Sequence, residues 1–250
     1  MKKTFNLVLF STFASIILLL SLIPNIGYIT IIPGLSAVTI IHIPVLIGII
    51  FLPFYYSLGL GLTFGISSFI AAFLYAKEPF DFVFQNPLIA IIPRVLFALV
   101  AYLIVRGLGR LKAYKYGLLL NIIVTLIVTS AFIGFGSYAL INLTGWPSLV
   151  VYLLALLVIA LILFLFIKYI NKRDPKLAYL PTTFISATLI HSILVLSFVA
   201  LLKVSALGEG SILKTFMFAL GTNGIVEALL ALFVGTPIVL ALFNLKEESR

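Results

Sequence analysis

Long runs of apolar residues dominate the chain, and short polar or proline-containing connections separate them. About 20 apolar residues, at a rise of about 1.5 Å each, cross the hydrocarbon of a bilayer as one helix. The pattern therefore predicts an all-α, polytopic membrane bundle of about eight spans. The predicted spans are 5–23, 39–53, 55–76, 88–106, 117–141, 149–169, 181–202 and 214–243.

Prolines interrupt two of these predicted spans. The second span is short and has a proline at each end, so we expect it to be broken or tilted. The fourth begins at Asn86-Pro87, and Pro93 follows one turn later. Because proline lacks an N–H group and its ring collides with the carbonyl four residues earlier, we expect the helix to loosen beside Arg94.

Composition agrees with a membrane protein. Of the 250 residues, 63% are hydrophobic and 9% are charged, which is more apolar material than one soluble core buries. The chain has no cysteine, and this excludes disulfides, a thiol nucleophile and thiolate metal ligands. Two histidines, His42 and His191, are too few for a convincing metal cluster, so we expect neither a metal nor another cofactor.

The basic residues predict how the chain is oriented. Cytoplasmic loops near spans are enriched in Lys and Arg, and eight spans with both termini in the cytoplasm place twelve of the sixteen basic residues there. The twelve are Lys2, Lys3, Arg106, Arg110, Lys112, Lys115, Lys168, Lys172, Arg173, Lys176, Lys246 and Arg250. The net charge of +9 then reflects orientation and contact with an anionic lipid bilayer, and nucleic-acid binding has no separate support.

A loop without charge follows the first span. Its sequence, PNIGYITIIPGLSAV at residues 24–38, is apolar and contains glycine and proline. Such a segment is unsuited to float freely in water, so we expect a lid that folds over the helix ends. An ordinary connector at the membrane interface is the alternative.

Small residues at fourfold spacing predict where helices touch. Ser57, Gly61 and Gly65 form such a stripe on the third span, and small side chains let two backbones approach closely in lipid. We expect this stripe to pack within the chain. Ser11 and Ser15 form a weaker stripe on the first span, where contact with a separate membrane subunit is an equally open alternative.

Two ionisable residues lie deep inside apolar segments. They are Arg94 in IIPRVLFALVAYLIV and Glu227 in GTNGIVEALLALFVG. Each costs roughly 2.5 to 3.5 kcal/mol at a bilayer centre, so each is expected to face protein, water or a ligand. Arginine presents a planar fork of donors that suits a carboxylate. Two interpretations stay open: Arg94 holds the carboxylate of a ligand, or it pairs with Glu227 as a structural bridge.

Three segments, in this order, resemble the S components of energy-coupling factor transporters, which are bacterial vitamin uptake systems. They are GYITIIPGLSAVTIIHIPVLIGII, FQNPLIAIIPRVLFALVAYLI and ALGTNGIVEALLALFVGTPIV. The Pro-Arg of the fourth span and the Asn-Gly-x-x-Glu of the last are most similar to the pantothenate-type branch. The resemblance covers roughly 1–112 and 178–245 of a single integral membrane domain, 1–250, and 117–170 is expected to be an extra transmembrane hairpin.

The resemblance implies a function and partners. S components bind one vitamin near the outer surface of the bacterial plasma membrane, beneath a closed first loop. They deliver it to a transmembrane T component that two ATPase subunits drive, and they catalyse no reaction themselves. Where the family typically has alanines for docking on the T component, this chain has Ser11 and Ser15.

The resemblance also brings the second, fourth, seventh and eighth spans together around the vitamin. The candidate binding residues are Thr39, His42, Asn86, Arg94, His191, Asn223 and Glu227. Asn223 and Glu227 are four residues apart and therefore share a helix face. Structural roles stay open beside binding: Asn86 as a helix cap, Asn223 bonded to a carbonyl, and each histidine bonded to nearby backbone.

Two other functions stay open. A self-sufficient proton-coupled secondary transporter also uses buried arginine and glutamate, although the halves of this chain show no convincing repeat. A membrane enzyme requires a nucleophile and a base, or an acidic metal-binding motif, and one embedded carboxylate gives it little support. The resemblance implies that the chain is not an enzyme and does not hydrolyse ATP, and the sequence is consistent with this because it contains no GxxxxGK[ST] phosphate loop.

Overall fold

The computed structural model describes residues 2–29, 37–77, 80–171, 177–202 and 219–248. In these ranges nearly every residue is helical, and seven helices are long and apolar enough to cross a membrane. The predicted all-α polytopic bundle is therefore confirmed.

Helices make up most of the described chain, and a small β-hairpin lies near its start. The helices are α1 (Lys2–Leu22), α2 (His42–Phe51), α3 (Phe54–Tyr75), α4 (Pro87–Ala90), α5 (Ile92–Leu111), α6 (Gly117–Thr144), α7 (Ser148–Asn171), α8 (Tyr179–Leu202), α9 (Ile225–Leu230) and α10 (Thr236–Glu248). Two short strands, β1 (Tyr28–Ile29) and β2 (Val38–Thr39), lie between α1 and α2. A 3₁₀ turn, Asp81–Gln85, precedes α4, and two π-helical turns, Leu220–Gly224 and Ala231–Gly235, flank α9.

Two spans combine several of these elements. Together α4 and α5 form one span, Pro87–Leu111, and the last span is Leu220–Asn244. Residues 214–218, with which the predicted last span begins, lie outside the described residues. The other predicted boundaries differ from the observed helix ends by a few residues, as helix ends generally do.

The second predicted span, 39–53, is only partly helical. Thr39 belongs to β2, and α2 has 10 residues. The strand residues Val38 and Thr39 lead through a turn at Ile41 into α2, which covers about 15 Å. The expected break in the second span is therefore a change from strand to helix.

Contacts at both ends show that this segment crosses the bundle. Tyr75 Oη donates to the Leu22 carbonyl at 2.7 Å, so α3 ends beside the end of α1, where the hairpin begins. Arg106, about four turns into α5, donates from Nη2 to the Leu52 carbonyl at 3.2 Å. The chain between β2 and Leu52 therefore runs from one end of the bundle to the other and, within the described ranges, adds an eighth crossing to the seven long helices.

The fourth span is interrupted where Pro93 predicts it. Between α4 and α5 the helix breaks at Ile91. Asn86 begins the span as its cap, because its Oδ1 accepts from the Leu88 N–H at 3.0 Å and Pro87 occupies the first helical position.

The core lies around α2. All of its residues except Phe51 are buried, and they pack with aromatic side chains of the surrounding helices, including Phe64, Phe97 and Phe184. Around this centre, α3 packs on α1 and α5, and α5 packs on α8. A helix that is apolar on every side and buried on every side is stable only in such a central position.

The small-residue stripe of α3 packs against α5. A Cβ on Gly61 would lie 2.5 Å from the Ala98 Cβ, and one on Gly65 would lie 2.8 Å from the Ile91 Cα. Ser57 is buried one turn earlier and donates to the Pro53 carbonyl at 3.2 Å. This stripe therefore makes a contact within the chain, as glycine does where backbones meet.

Ser11 and Ser15 have different surroundings. Both are exposed on α1, as are several large apolar residues of the same helix, including Leu7, Val8 and Leu19. This side of α1 carries no packed element among the described residues, so it faces lipid or another protein.

The segment predicted as an extra hairpin forms two long helices. In the described part of the chain, α6 packs on α8 and on the π-helical turn Leu220–Gly224, while α7 packs chiefly on α6. Many apolar side chains of α7 are exposed, such as Leu149, Leu156 and Phe164, which is typical of a lipid-facing helix.

The described ends of the predicted lid pair with each other. Tyr28 lies opposite Thr39 in an antiparallel register, and the Ile40 N–H donates to the Gly27 carbonyl at 3.1 Å. Residues 30–36 of the predicted lid lie outside the described residues. The paired ends fold over the end of the bundle, where both Tyr28 and Thr39 border a cavity.

Candidate functional site

A cavity of about 370 Å³ lies beneath the β-hairpin, between α1, α3, α5, α8 and the last span. This volume is within the range of about 300 to 1,000 Å³ that is typical of small-molecule sites. Five of the seven predicted binding residues line it. They are Thr39, Arg94, His191, Asn223 and Glu227.

Arg94 reaches the cavity from the first turn of α5. Pro93 cannot donate the N–H that an unbroken helix would give to the Ile89 carbonyl. Arg94 Nη1 donates to that carbonyl instead, at 2.8 Å, and the guanidinium carbon lies 4.7 Å from the centre of the Phe84 ring. The proline break thus supplies the acceptor that fixes the orientation of the guanidinium.

The buried charge of Arg94 is not neutralised by a direct partner in the described ranges. The residue is 4% exposed, its Nε has no hydrogen-bond partner, and no described carboxylate forms an ion pair with it. A guanidinium has five N–H donors, and the Ile89 carbonyl accepts one. The group therefore retains donor capacity beside a cavity.

Glu227 is held by two neutral donors. Its Oε1 accepts from the Thr39 backbone N–H at 2.8 Å, and its Oε2 accepts from Ser192 Oγ at 2.9 Å. Both carboxylate oxygens are thus bonded to parts of the chain other than Arg94, although Arg94 lines the same cavity. Of the two interpretations left open by the sequence, a direct Arg94–Glu227 bridge is absent from the described structure.

The two histidines form a stacked pair. The ring centroids of His42 and His191 are 5.6 Å apart with planes inclined by 19°, and the ring of Phe97 is 4.8 Å from that of His191. His191 lines the cavity, whereas His42 lies behind it and is completely buried. His42 is not among the residues that line the cavity, and its predicted contact with a ligand stays a prediction.

Asn86 is also outside the cavity. Its Oδ1 is engaged as the cap of α4, so the capping role is the one observed, and the predicted ligand contact stays a prediction. Neighbouring Gln85 is likewise engaged, since its Nε2 donates to the Ala72 carbonyl at 3.1 Å.

The π-helical turn Leu220–Gly224 shapes one wall. Asn223 and Gly224 both line the cavity, and Glu227 follows one turn later. A π turn adds a residue to the helical turn and rotates the rest of the helix, and such turns occur often at functional sites. Gly224 lies beside Ser192, whose Oγ would be in ordinary van der Waals contact, at 3.4 Å, with a Cβ at that position.

Hydroxyl groups that the sequence did not single out complete the polar lining. Tyr28 Oη and Ser68 Oγ are 2.8 Å apart, which joins the hairpin to α3. Burial raises the pKa of Tyr28, so the phenol stays protonated and neutral. Ser192 directly follows His191, and its position one turn after Thr188 is a signal that could have identified it. For Ser68 no such signal exists in the sequence.

The other walls are apolar. Ala71 and Ala72 line the α3 side, Val195 and Leu196 the α8 side, and Phe84 covers Arg94. A cation on one side, hydroxyl and amide groups around it and apolar walls elsewhere suit a small polar molecule with one acidic group. No cluster of three or more metal-ligating His, Asp or Glu side chains occurs in the ranges that the structure covers.

No protein-family model matches the chain, and no curated protein matches it.

Proposed function

We propose that the chain is the substrate-binding S component of an energy-coupling factor vitamin transporter in the plasma membrane of a bacterium. Its ligand would be a small water-soluble compound with a carboxylate, and pantothenate is the leading candidate. The observation that carries this proposal is the position of Arg94, a buried cation that lines a cavity and has no described acidic partner.

The energetics favour an acidic ligand. A buried charge is costly unless it is paired, and the Ile89 carbonyl, a neutral dipole, compensates Arg94 only in part. A ligand carboxylate would supply the missing charge and accept two parallel N–H bonds. Binding would then neutralise the guanidinium within the membrane, and that neutralisation is a source of affinity.

The rest of the lining supports pantothenate in particular. Pantothenate combines a carboxylate, an amide and two hydroxyl groups with a branched apolar segment. The cavity has hydroxyl, amide and imidazole groups at Ser68, Asn223 and His191, and apolar walls between them. Each chemical group of the ligand therefore has a complementary class of side chain in the cavity.

Delivery of the vitamin requires a partner, and the exposed side of α1 is the surface we propose for it. Ser11 and Ser15 leave a shallow strip between large apolar side chains, which allows another helix to come close. The partner would be the transmembrane T component, with two ATPase subunits as the source of energy.

One observation favours a second candidate, a proton-coupled secondary transporter. The two described donors to Glu227 are neutral groups, Thr39 N–H and Ser192 O–H. A carboxylate held in this way can take up a proton without breaking an ion pair, and proton carriers need such a group within the membrane.

Reconstitution separates the two candidates. The purified chain would be placed in liposomes, alone or with a T component and its two ATPases, and uptake of radiolabelled pantothenate would be measured. The receptor proposal predicts binding by the chain alone and sustained uptake only with the complete module and ATP. Sustained uptake by the chain alone, driven by a pH gradient, would favour the carrier.

A further inference from the structure

The extra hairpin touches the wall of the cavity. Gly136 of α6 lies directly on the backbone of Gly221, which belongs to the π-helical turn Leu220–Gly224. A Cβ on either glycine would overlap the backbone of the other. Asn223 and Gly224, later in the same turn, line the cavity.

A second contact reinforces the first. Phe132, one turn before Gly136 on α6, packs against a cluster that includes Leu220, Ala219 and Leu196. Ala219 and Leu196 also line the cavity. The hairpin is thus packed directly behind the part of the wall that carries Asn223.

We propose that α6 positions the cavity wall: contact between Gly136 and Gly221 holds the π-helical turn at the place where Asn223 faces the ligand. Gly136 is then a positioning residue, and the extra hairpin is part of the binding site's construction. This inference rests on the proposed ligand-binding function, because it concerns the same cavity.

The physical reason is that no space remains between the two backbones at this contact. With glycine on both helices, the backbones touch, so the two helices cannot approach further and a side chain on either must push them apart. The displaced turn would take Asn223 with it. By contrast, a Cβ on Gly134, two residues earlier on α6, would meet nothing within 4 Å.

The first test compares Gly136→Ala with Gly134→Ala. Pantothenate affinity of the purified full-length chain would be measured by calorimetry. We expect Gly136→Ala to weaken binding at least tenfold and Gly134→Ala to leave it within twofold. Equal affinity of the two variants, both folded, would overturn the proposal.

The second test measures the accessibility of the cavity wall directly and requires no ligand. The chain has no cysteine, so Asn223→Cys or Ala72→Cys places a unique thiol on the wall formed by the last span or on the wall formed by α3, respectively. The rate of reaction with a small methanethiosulfonate reagent would be measured with and without Gly136→Ala. We expect the rate at position 223 to change at least fivefold and that at position 72 to change less than twofold.

The outcomes separate this inference from the proposed function. If the parent chain fails to bind pantothenate, the choice of ligand is wrong, but the labelling rates still decide the role of α6. Equal changes at positions 72 and 223 would indicate general loosening and overturn the positioning role. Should Gly136→Ala fail to fold, Phe132→Leu takes its place in both tests, with a change confined to position 223 expected and no change contradicting the proposal.

Discussion

The backbone N–H of Thr39 donates to Glu227 Oε1 at 2.8 Å, which joins the second strand of the β-hairpin to the last span. Ser192 Oγ donates to the other oxygen at 2.9 Å and adds α8 to the same junction. One carboxylate thus connects the hairpin over the cavity with two of the cavity walls. These two bonds require acceptor oxygens and do not require a negative charge.

This arrangement predicts different effects for two substitutions of Glu227. In Glu227→Gln, the side-chain oxygen still accepts from Thr39, and the amide can donate to Ser192 Oγ. Glu227→Ala leaves the Thr39 N–H without a partner, which costs about 1 to 3 kcal/mol. Thermal unfolding in detergent should therefore show Glu227→Ala clearly destabilised and Glu227→Gln close to the parent. Equal destabilisation of both would contradict the account of the junction.

The contact between α3 and α5 predicts a further difference. Gly61→Ala places a Cβ 2.5 Å from the Ala98 Cβ and 2.8 Å from the Arg94 carbonyl, and overpacking of this kind costs about 1 to 3 kcal/mol. Gly107→Ala, on α5 itself, meets nothing within 4 Å. We expect the unfolding temperature to fall for Gly61→Ala and to stay the same or rise for Gly107→Ala. Similar shifts for both would show that the helices are less closely packed.

The architecture could be predicted because it depends on local features of the sequence, namely the length of the apolar runs and the positions of prolines. A run of apolar residues long enough to cross a bilayer forms a membrane-spanning helix in most proteins. Pro93 lies inside such a run, and proline interrupts a helix when it lies in the helix interior. Arg94 and Glu227 could also be identified from the sequence, because a charge inside an apolar run requires a polar environment. Both line the cavity.

The rest of the site could not be predicted, because it depends on contacts between segments that are far apart in the sequence. The position of His42 behind the cavity could not be predicted, because the change from strand to helix after Thr39 alters the direction of the next side chains. In addition, α2 is apolar on every side, so no periodicity revealed its faces. Ser68 and Tyr28 lie 40 residues apart, and only the folded hairpin brings their hydroxyl groups together.

The exposed serines of α1 lead to a prediction about the partner. Leucine at both Ser11 and Ser15 should block close approach of another helix, because small residues at such positions permit backbone contact. We expect pantothenate binding to persist and ATP-driven uptake, measured in proteoliposomes with the complete module, to fall about tenfold or more. The matched control is alanine at both positions, which keeps the strip shallow. Loss of uptake in the alanine variant, or full uptake in the leucine variant, would argue against docking there.

The predicted orientation can be tested through single cysteines. Lys77 lies at the mouth of the cavity, and Lys112 follows the far end of α5. With both termini in the cytoplasm, an impermeant maleimide added to intact cells should label Lys77→Cys and not Lys112→Cys. After the cells are permeabilised, both should react. The reverse pattern would invert the topology and place the cavity on the cytoplasmic side.

The most direct test of the central claim compares pantothenate with pantothenol, in which an alcohol replaces the carboxylate. Equilibrium binding to the purified chain would be measured for the parent, Arg94→Ala and the exposed-arginine control Arg110→Ala. If Arg94 holds the carboxylate, the parent and Arg110→Ala should prefer pantothenate by about 2 kcal/mol or more, and Arg94→Ala should bind both compounds equally weakly. An unchanged preference for pantothenate in Arg94→Ala would contradict the account.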